Sequence, residues 1–236
     1  MGAAACFLAN GCTYLVALLT LVAIRHPRTR IAVGSLSPVG DARKVGAFFL
    51  GRREAAALMA LVGLSATFAF AFDALLPAFA VDVLDVGPGG FGILVAAFGV
   101  GSTLGAIGFA TIDVVYGRGR LFAVGRLLAP VFLLVFAFSR SFWLSCLLLA
   151  GAGVMLITQN GLGNPLIQTM APASLRGRIM GVYSLAAIGL ARFGGMMLGA
   201  VADQIGAPLA LGLSASICLV GCSLVLHRNP TVWGLP

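Results

Sequence analysis

Long, unbroken apolar runs alternate with short polar breaks along the whole chain. The runs cover about residues 3 to 24, 55 to 80, 90 to 112, 121 to 138, 142 to 168, 178 to 202 and 207 to 227. Between them stand RHPRTR, DVLDVGPGG, YGRGR, SRS, PASLRGR and DQIGAP. A hydrocarbon core about 30 Å thick is crossed by roughly twenty helical residues, so each run has spanning length. Apolar positions are continuous instead of alternating, which predicts helices and not barrel strands. The pattern therefore predicts an all-α polytopic membrane protein with about seven transmembrane helices.

Composition agrees. Hydrophobic residues make up 60% of the chain and charged ones 9%, and the mean hydropathy is +1.07. So few charges cannot cover a water-facing surface, which excludes an ordinary soluble domain. The charges also have sides. Arg25, Arg28, Arg30, Arg43, Lys44, Arg52 and Arg53 crowd the first connection, Arg118, Arg120 and Arg126 mark the third, Arg176 and Arg178 the fifth, and Arg228 follows the last run. The other connections carry Asp82, Asp85 and Asp203, with Arg140 as their one cation. By the positive-inside rule the C-terminus faces the cytoplasm and, with seven spans, the N-terminus faces outward. The expected location is the plasma (inner) membrane, multi-pass. This topology accounts for nearly all of the net charge of +8, and basic loop flanks without interleaved aromatics argue against a nucleic-acid partner. Arg126, about 9 Å beyond Arg120 at 1.5 Å per residue, reads as a residue snorkelling to the inner headgroups.

Three segments follow: a first helix over 1–25, a basic cytoplasmic loop over 26–54, and a six-helix bundle over 55–236. Within the loop, DARKVGAFFLGRREAA suits an amphipathic helix resting on anionic headgroups. The first helix has no basic flank before it, so it does not read as a cleaved signal peptide. It begins outside and ends inside, which suggests that earlier spans precede it and that the chain is the C-terminal portion of something longer. The cysteines Cys6, Cys12, Cys146, Cys218 and Cys222 form no C-x-x-C and have no nearby histidine set, so they read as small lipid-facing or packing residues, and neither a metal nor a cofactor is expected. No G-x-x-x-x-G-K-[ST], no H-E-x-x-H and no credible triad is present, with His26 and His227 both at membrane edges, so an enzyme is not expected.

IQTMAPASLRGRIMGVYSL opens the sixth span with Gln168, Pro172, Arg176, Gly177, Arg178, Ile179, Met180 and Gly181 in the order Q-x-x-x-P-x-x-x-R-G-R-[IV]-M-G. This resembles the link between helices ten and eleven of major facilitator superfamily transporters, closest to the enterobactin-exporter-like, drug-exporter branch. Residues 75 to 108 are similar to that branch's link from helix seven to eight, and FLANGCTYLVALLTLVAIR to its helix six. The resemblance implies the C-terminal six-helix half of a major facilitator fold plus one preceding helix. The superfamily's loop motif is degenerate here: in GFATIDVVYGRGR, Asp113 lies five residues after Gly108 and Gly117 four after Asp113, one more than the motif in each case. Gly199, Asp203 and Gly206 keep the spacing, but on the outer side and without its arginines.

Two kinds of polar residue remain inside the spans. Arg192 lies about 21 Å from Arg178 and about 16 Å from Asp203, too far to snorkel easily, and an intramembrane arginine costs at least ~2.5 kcal/mol. Asp73, about 13 Å inside Asp82, lies at a matching depth. In the family, helices seven and eleven can be neighbours, so an intramembrane Asp73/Arg192 pair is expected, either as a packing bridge or as a proton-coupled switch. Asn160, Asn164 and Gln168 recur at spacing four on one helix face, with Gln159 adjacent and Pro165 placed to bend the helix. The resemblance makes Gln159, Asn160 and Asn164 the polar face of a central cavity. Gln168 joins Asp113, Arg118, Arg120, Arg176 and Arg178 at a cytoplasmic gate. Interhelical hydrogen bonding without substrate is the open alternative. Gly101 with Gly105, and Gly195 with Gly199, are small-x-x-x-small pairs that let helix backbones approach.

The resulting expectation is a secondary-active, proton-coupled efflux transporter, an antiporter of small amphipathic molecules such as drugs or siderophores, present as an N-terminally truncated chain. Its partners would be the lipid bilayer, a small-molecule substrate, protons, and the missing N-terminal half or a second subunit. The alternative is a non-transporting remnant or half-transporter subunit with a structural or regulatory role in the membrane.

Overall fold

The computed structural model describes residues 3–23 and 38–235, and for 3–7, 9, 22–23, 38–42 and 111–116 the backbone alone. Arg25, Arg28 and Arg30 and the Asp113 side chain lie outside the described residues. Among those described, the secondary structure is helical without strands. Two units result. The first holds α1 (Ala3–Ala23), apolar over Asn10–Leu21. The second, Val39–Pro236, holds everything else.

In the second unit, α2 (Pro38–Gly51) sets Val45 into the core and leaves Arg43 and Lys44 exposed. Six segments long and apolar enough to cross a membrane follow: Arg53–Val83, Gly87–Ala110, Arg118–Phe138, Phe142–Met170, Arg176–Ile205 and Ala207–Arg228. The first is broken into α3 (Arg53–Leu64), a π-helical turn (Ser65–Ala69), a 3-10 stretch (Phe70–Leu75), the short α4 (Leu76–Ala78) and a second π turn (Phe79–Val83). The helices α5 (Gly87–Tyr116), α6 (Arg118–Phe138) and α7 (Phe142–Met170) run unbroken. The fifth span is α8 (Arg176–Ser184), a π turn (Leu185–Gly189) and α9 (Leu190–Ile205), and α10 (Ala207–Arg228) is the sixth.

Among the described residues three links are a single residue long: Arg52 between α2 and α3, and two glycines, Gly117 between α5 and α6 and Gly206 between α9 and α10, at φ 78° and φ 84°. Only glycine takes that conformation without a steric cost, so both glycine turns depend on the missing side chain. The helix α5 continues through Asp113, the acidic position of the degenerate loop motif, and ends at Tyr116.

Packing centres on α7, which lies against α5 on one side and α6 on the other, while α6 also meets α10. Buried Leu58, Leu61, Phe79, Phe122, Phe136 and Leu156 belong to this core, with the Phe79 and Phe136 rings 4.8 Å apart. The backbones of α5 and α7 touch. A Cβ on Gly101 would collide with the Ala150 carbonyl, and one on Gly105 would stand 2.5 Å from that of Val154. On α9 the close approach falls at Gly194, against the Thr67 carbonyl, while Gly195 meets only the Ala74 Cβ at 3.5 Å and Gly199 meets nothing within 4 Å. Two spans are poorly covered: 17% of the most apolar stretch of Gly87–Ala110 is buried and 11% of that in Arg176–Ile205, against 39 to 56% in the other four.

Candidate functional site

Proline chemistry sets the position of Asp73. Pro77 has no N–H to offer the carbonyl four residues back, which is that of Asp73, and its ring crowds the same oxygen. The Asp73 carbonyl instead accepts from the N–H of Leu76, three residues on, and the chain before the proline tightens into the 3-10 stretch. Non-α turns inside long helices recur at functional sites and hinges.

Asp73 shares its surroundings with two other polar residues. Together with Phe70, Asn160 and Arg192 it lines an open cavity of about 220 Å³, to which the π turn before α9 adds Ala187 and Ile188. A second, about 450 Å³, adjoins Asp73 and Arg192 from the side of Gly195 and Met196. Both charged side chains are exposed on the bundle surface and Asn160 is half-buried. Asp73 and Arg192 thus face shared space from neighbouring spans without a direct ion pair.

The amides on α7 divide by face. Gln168 donates its Nε2 to Asn164 Oδ1 at 2.8 Å, and both are exposed. Gln159, read from the sequence into the cavity face, is instead fully buried, its Cβ 3.1 Å from where a Cβ on Gly125 would stand. One residue is 100° of rotation on a helix, enough to turn Gln159 into the core while Asn160 meets the cavity. Arg176 and Arg178 open α8, Arg118 opens α6, and Arg120 and Arg176 are exposed at their helix starts.

The snorkelling assignment of Arg126 is overturned. Its side chain is 1% exposed, the largest among the fully buried ones. The Nη1 donates to the Leu61 carbonyl at 3.1 Å, and the guanidinium carbon lies 4.6 Å from the centre of the Phe122 ring. The Nε and Nη2 have no partner, and neither have the Gln159 amide and the Ser65 hydroxyl nearby in the core. Among the described residues no carboxylate pairs with Arg126.

These residues share a task. Where the first span departs from α-helix, carbonyls along one side are met by donors from neighbours: Leu61 by Arg126, Phe68 by Ser214 at 2.8 Å, and Leu64 by the Cys218 thiol at 3.9 Å. Without water, carbonyls around a helix break take up such donors, Leu61 in addition to its bond from the Ser65 N–H. Ser214, Cys218 and Cys222 follow at spacing four on one face of α10, and the two sulfurs are 4.0 Å apart. That spacing is visible in the sequence and is the signal that points at this face. Among the described residues no three His, Cys, Asp or Glu side chains converge on a metal position.

No curated protein matches the chain. A family model described as transmembrane secretion effector matches residues 1–232. Six spanning helices, intramembrane polar residues gathered at broken helices, and a match over nearly the full length lead to one assignment: the chain belongs to the transmembrane secretion effector family of the major facilitator superfamily, a family of transporters.

Proposed function

We propose that the chain supplies one wall of a proton-coupled efflux transporter for small amphipathic molecules, related to the drug and siderophore exporters. The observation that supports this reading is the shared cavity of Asp73, Asn160 and Arg192. A carboxylate and a guanidinium facing the same space without locking together can exchange partners, with water, a proton or a cationic substrate group taking the place of the missing ion pair. Asn160 adds a donor and an acceptor for a substrate, and the surrounding Phe70, Ala187 and Ile188 suit its apolar part. The end rich in arginine is read as cytoplasmic, with Arg118, Arg120, Gln168, Arg176 and Arg178, and Asp113 beside them in sequence, as gate residues.

The test is uptake of a fluorescent amphipathic dye by inside-out membrane vesicles under an imposed pH gradient. Asp73→Asn is expected to abolish the gradient-dependent part while leaving the amount of protein in the membrane unchanged, and Asn160→Ala to change which dyes are carried. Gradient-driven uptake at the wild-type rate in Asp73→Asn would end the coupling role.

A second reading has its own observation. The two least covered spans expose Val100, Leu104 and Ile107 on α5 and Ile188 and Met196 near and on α9, a surface suited to another six-helix half or a second subunit. In that reading the chain is a structural or regulatory half that carries nothing alone. Vesicles that hold the chain in full amount and take up no dye until a partner is co-expressed would favour it.

A further inference from the structure

At one end of the bundle, the start of the first span and the end of the last meet around an open cavity of about 450 Å³. Arg52 and Arg53 enter it from the N-terminus of α3, Arg228 from the last residue of α10, and Asn229 and Thr231 from the chain beyond. Glu54 is the one acidic residue on this wall. Three guanidinium groups and one carboxylate leave it with a formal excess of two positive charges.

The arginines are not equivalent. Arg52 is held in place, donating to the Met170 carbonyl at 3.1 Å with its guanidinium carbon 5.6 Å from the centre of the Phe48 ring. Arg53 and Arg228 are exposed and, among the described residues, neither has a hydrogen-bond or ion-pair partner. The helix start between them is open too. Arg52 stands at the cap of α3 in extended conformation, φ −129° and ψ 95°, and makes no side-chain cap bond, so the first-turn N–H groups have no side chain closing them. A charge at the C-terminus of α10 suits the helix dipole by itself, but that does not account for two further arginines brought to the same cavity from the start of the first span.

Forked guanidinium groups and open helix N–H donors are two ways in which proteins hold phosphate oxygens. Depth decides which phosphate. Arg53 is the first residue of its spanning segment and Arg228 the last of its own, so the cavity sits at the level of a bilayer's headgroups. We propose that it is a phosphate site that takes the headgroup phosphodiester of an anionic phospholipid, tying the first and last spans to the membrane surface.

The test uses the full chain in bilayer discs that mix phosphatidylglycerol with phosphatidylcholine, and native mass spectrometry of the lipid that stays bound. Wild type is expected to retain phosphatidylglycerol over phosphatidylcholine, and R53Q/R228Q to lose roughly 30-fold in apparent affinity, the effect of two arginines at a charged surface. R43Q/K44Q removes the same charge from the exposed face of α2 and is expected to keep the preference. If the preference is absent but inorganic phosphate raises the melting temperature of wild type and not of R53Q/R228Q, the chemistry stands and its source is free phosphate. Equal loss in both double variants, or no response to either probe, would overturn the site.

Discussion

Arg126 on α6 donates to the backbone carbonyl of Leu61 on α3 across 3.1 Å, and among the described residues its guanidinium has no carboxylate partner. Leu61 already accepts from the Ser65 N–H, so the arginine supplies a second bond at the turn where α3 ends. A guanidinium is an expensive donor for this purpose: a hydrogen bond from a charged group contributes about 1.5 to 3 kcal/mol, which an insertion cost of at least ~2.5 kcal/mol for an arginine inside a membrane largely cancels. Stability alone does not explain its presence.

Arg126→Met tests this balance. Methionine fills similar space without a charge, and apolar replacement of buried charged groups is often neutral or stabilising. The melting temperature in detergent is expected to equal or exceed that of wild type, whereas Arg126→Glu is expected to prevent folding. A melting temperature lowered by many degrees in Arg126→Met would show that the guanidinium holds the bundle together.

Pro77→Ala restores an N–H opposite the Asp73 carbonyl and allows the 3-10 stretch to relax towards α-helix. The variant is expected to be at least as stable as wild type and to carry dye more slowly, because Asp73 is turned away from Asn160 and Arg192. Unchanged transport in the vesicle assay would separate the helix break from function.

Glycine substitutions should divide by what the new side chain meets. Gly105→Val drives a branched group into the Val154 backbone and is expected to cost ~1 to 3 kcal/mol or more, seen as loss of monodisperse protein on gel filtration. Gly199→Ala meets nothing within 4 Å and is expected to behave as wild type. Equal behaviour of the two would contradict the close contact of α5 with α7.

The thiols of Cys218 and Cys222 are fully buried, with Cys218 bonded to the Leu64 carbonyl. Mass spectrometry after treatment with N-ethylmaleimide is expected to find both unmodified in the folded protein and modified once it is denatured. Rapid labelling in the folded protein would mean that α10 opens away from α3.

The spans were legible because length and polarity decide them. The run read as 142 to 168 is α7, Phe142–Met170, and that read as 207 to 227 is α10, Ala207–Arg228. Azimuth was not legible in the same way. The rise per residue gives the depth of Arg126, but which way it points depends on the helices around it, and there α3, α7 and α10 enclose it. Gln159 and Asn160 differ by one step of rotation and end in core and cavity. Likewise Gly194, not its neighbour Gly195, meets the Thr67 backbone, because the register between two helices depends on both of them. The break at Asp73 could have been read from Pro77, since the lost N–H is a matter of sequence alone.

Gly117 and Gly206 have a mechanical consequence. A one-residue link spans at most about 3.5 Å, so it has no slack to let one helix slip lengthwise past the next. The pairs α5 with α6 and α9 with α10 are therefore jointed at a glycine, with little room for one helix to slide along the other. The link from α7 to α8 runs over residues 171–175 and can absorb such sliding. A displacement of α9 would therefore carry α10 with it, and with α10 go Ser214 and Cys218, which donate to the Phe68 and Leu64 carbonyls of the first span.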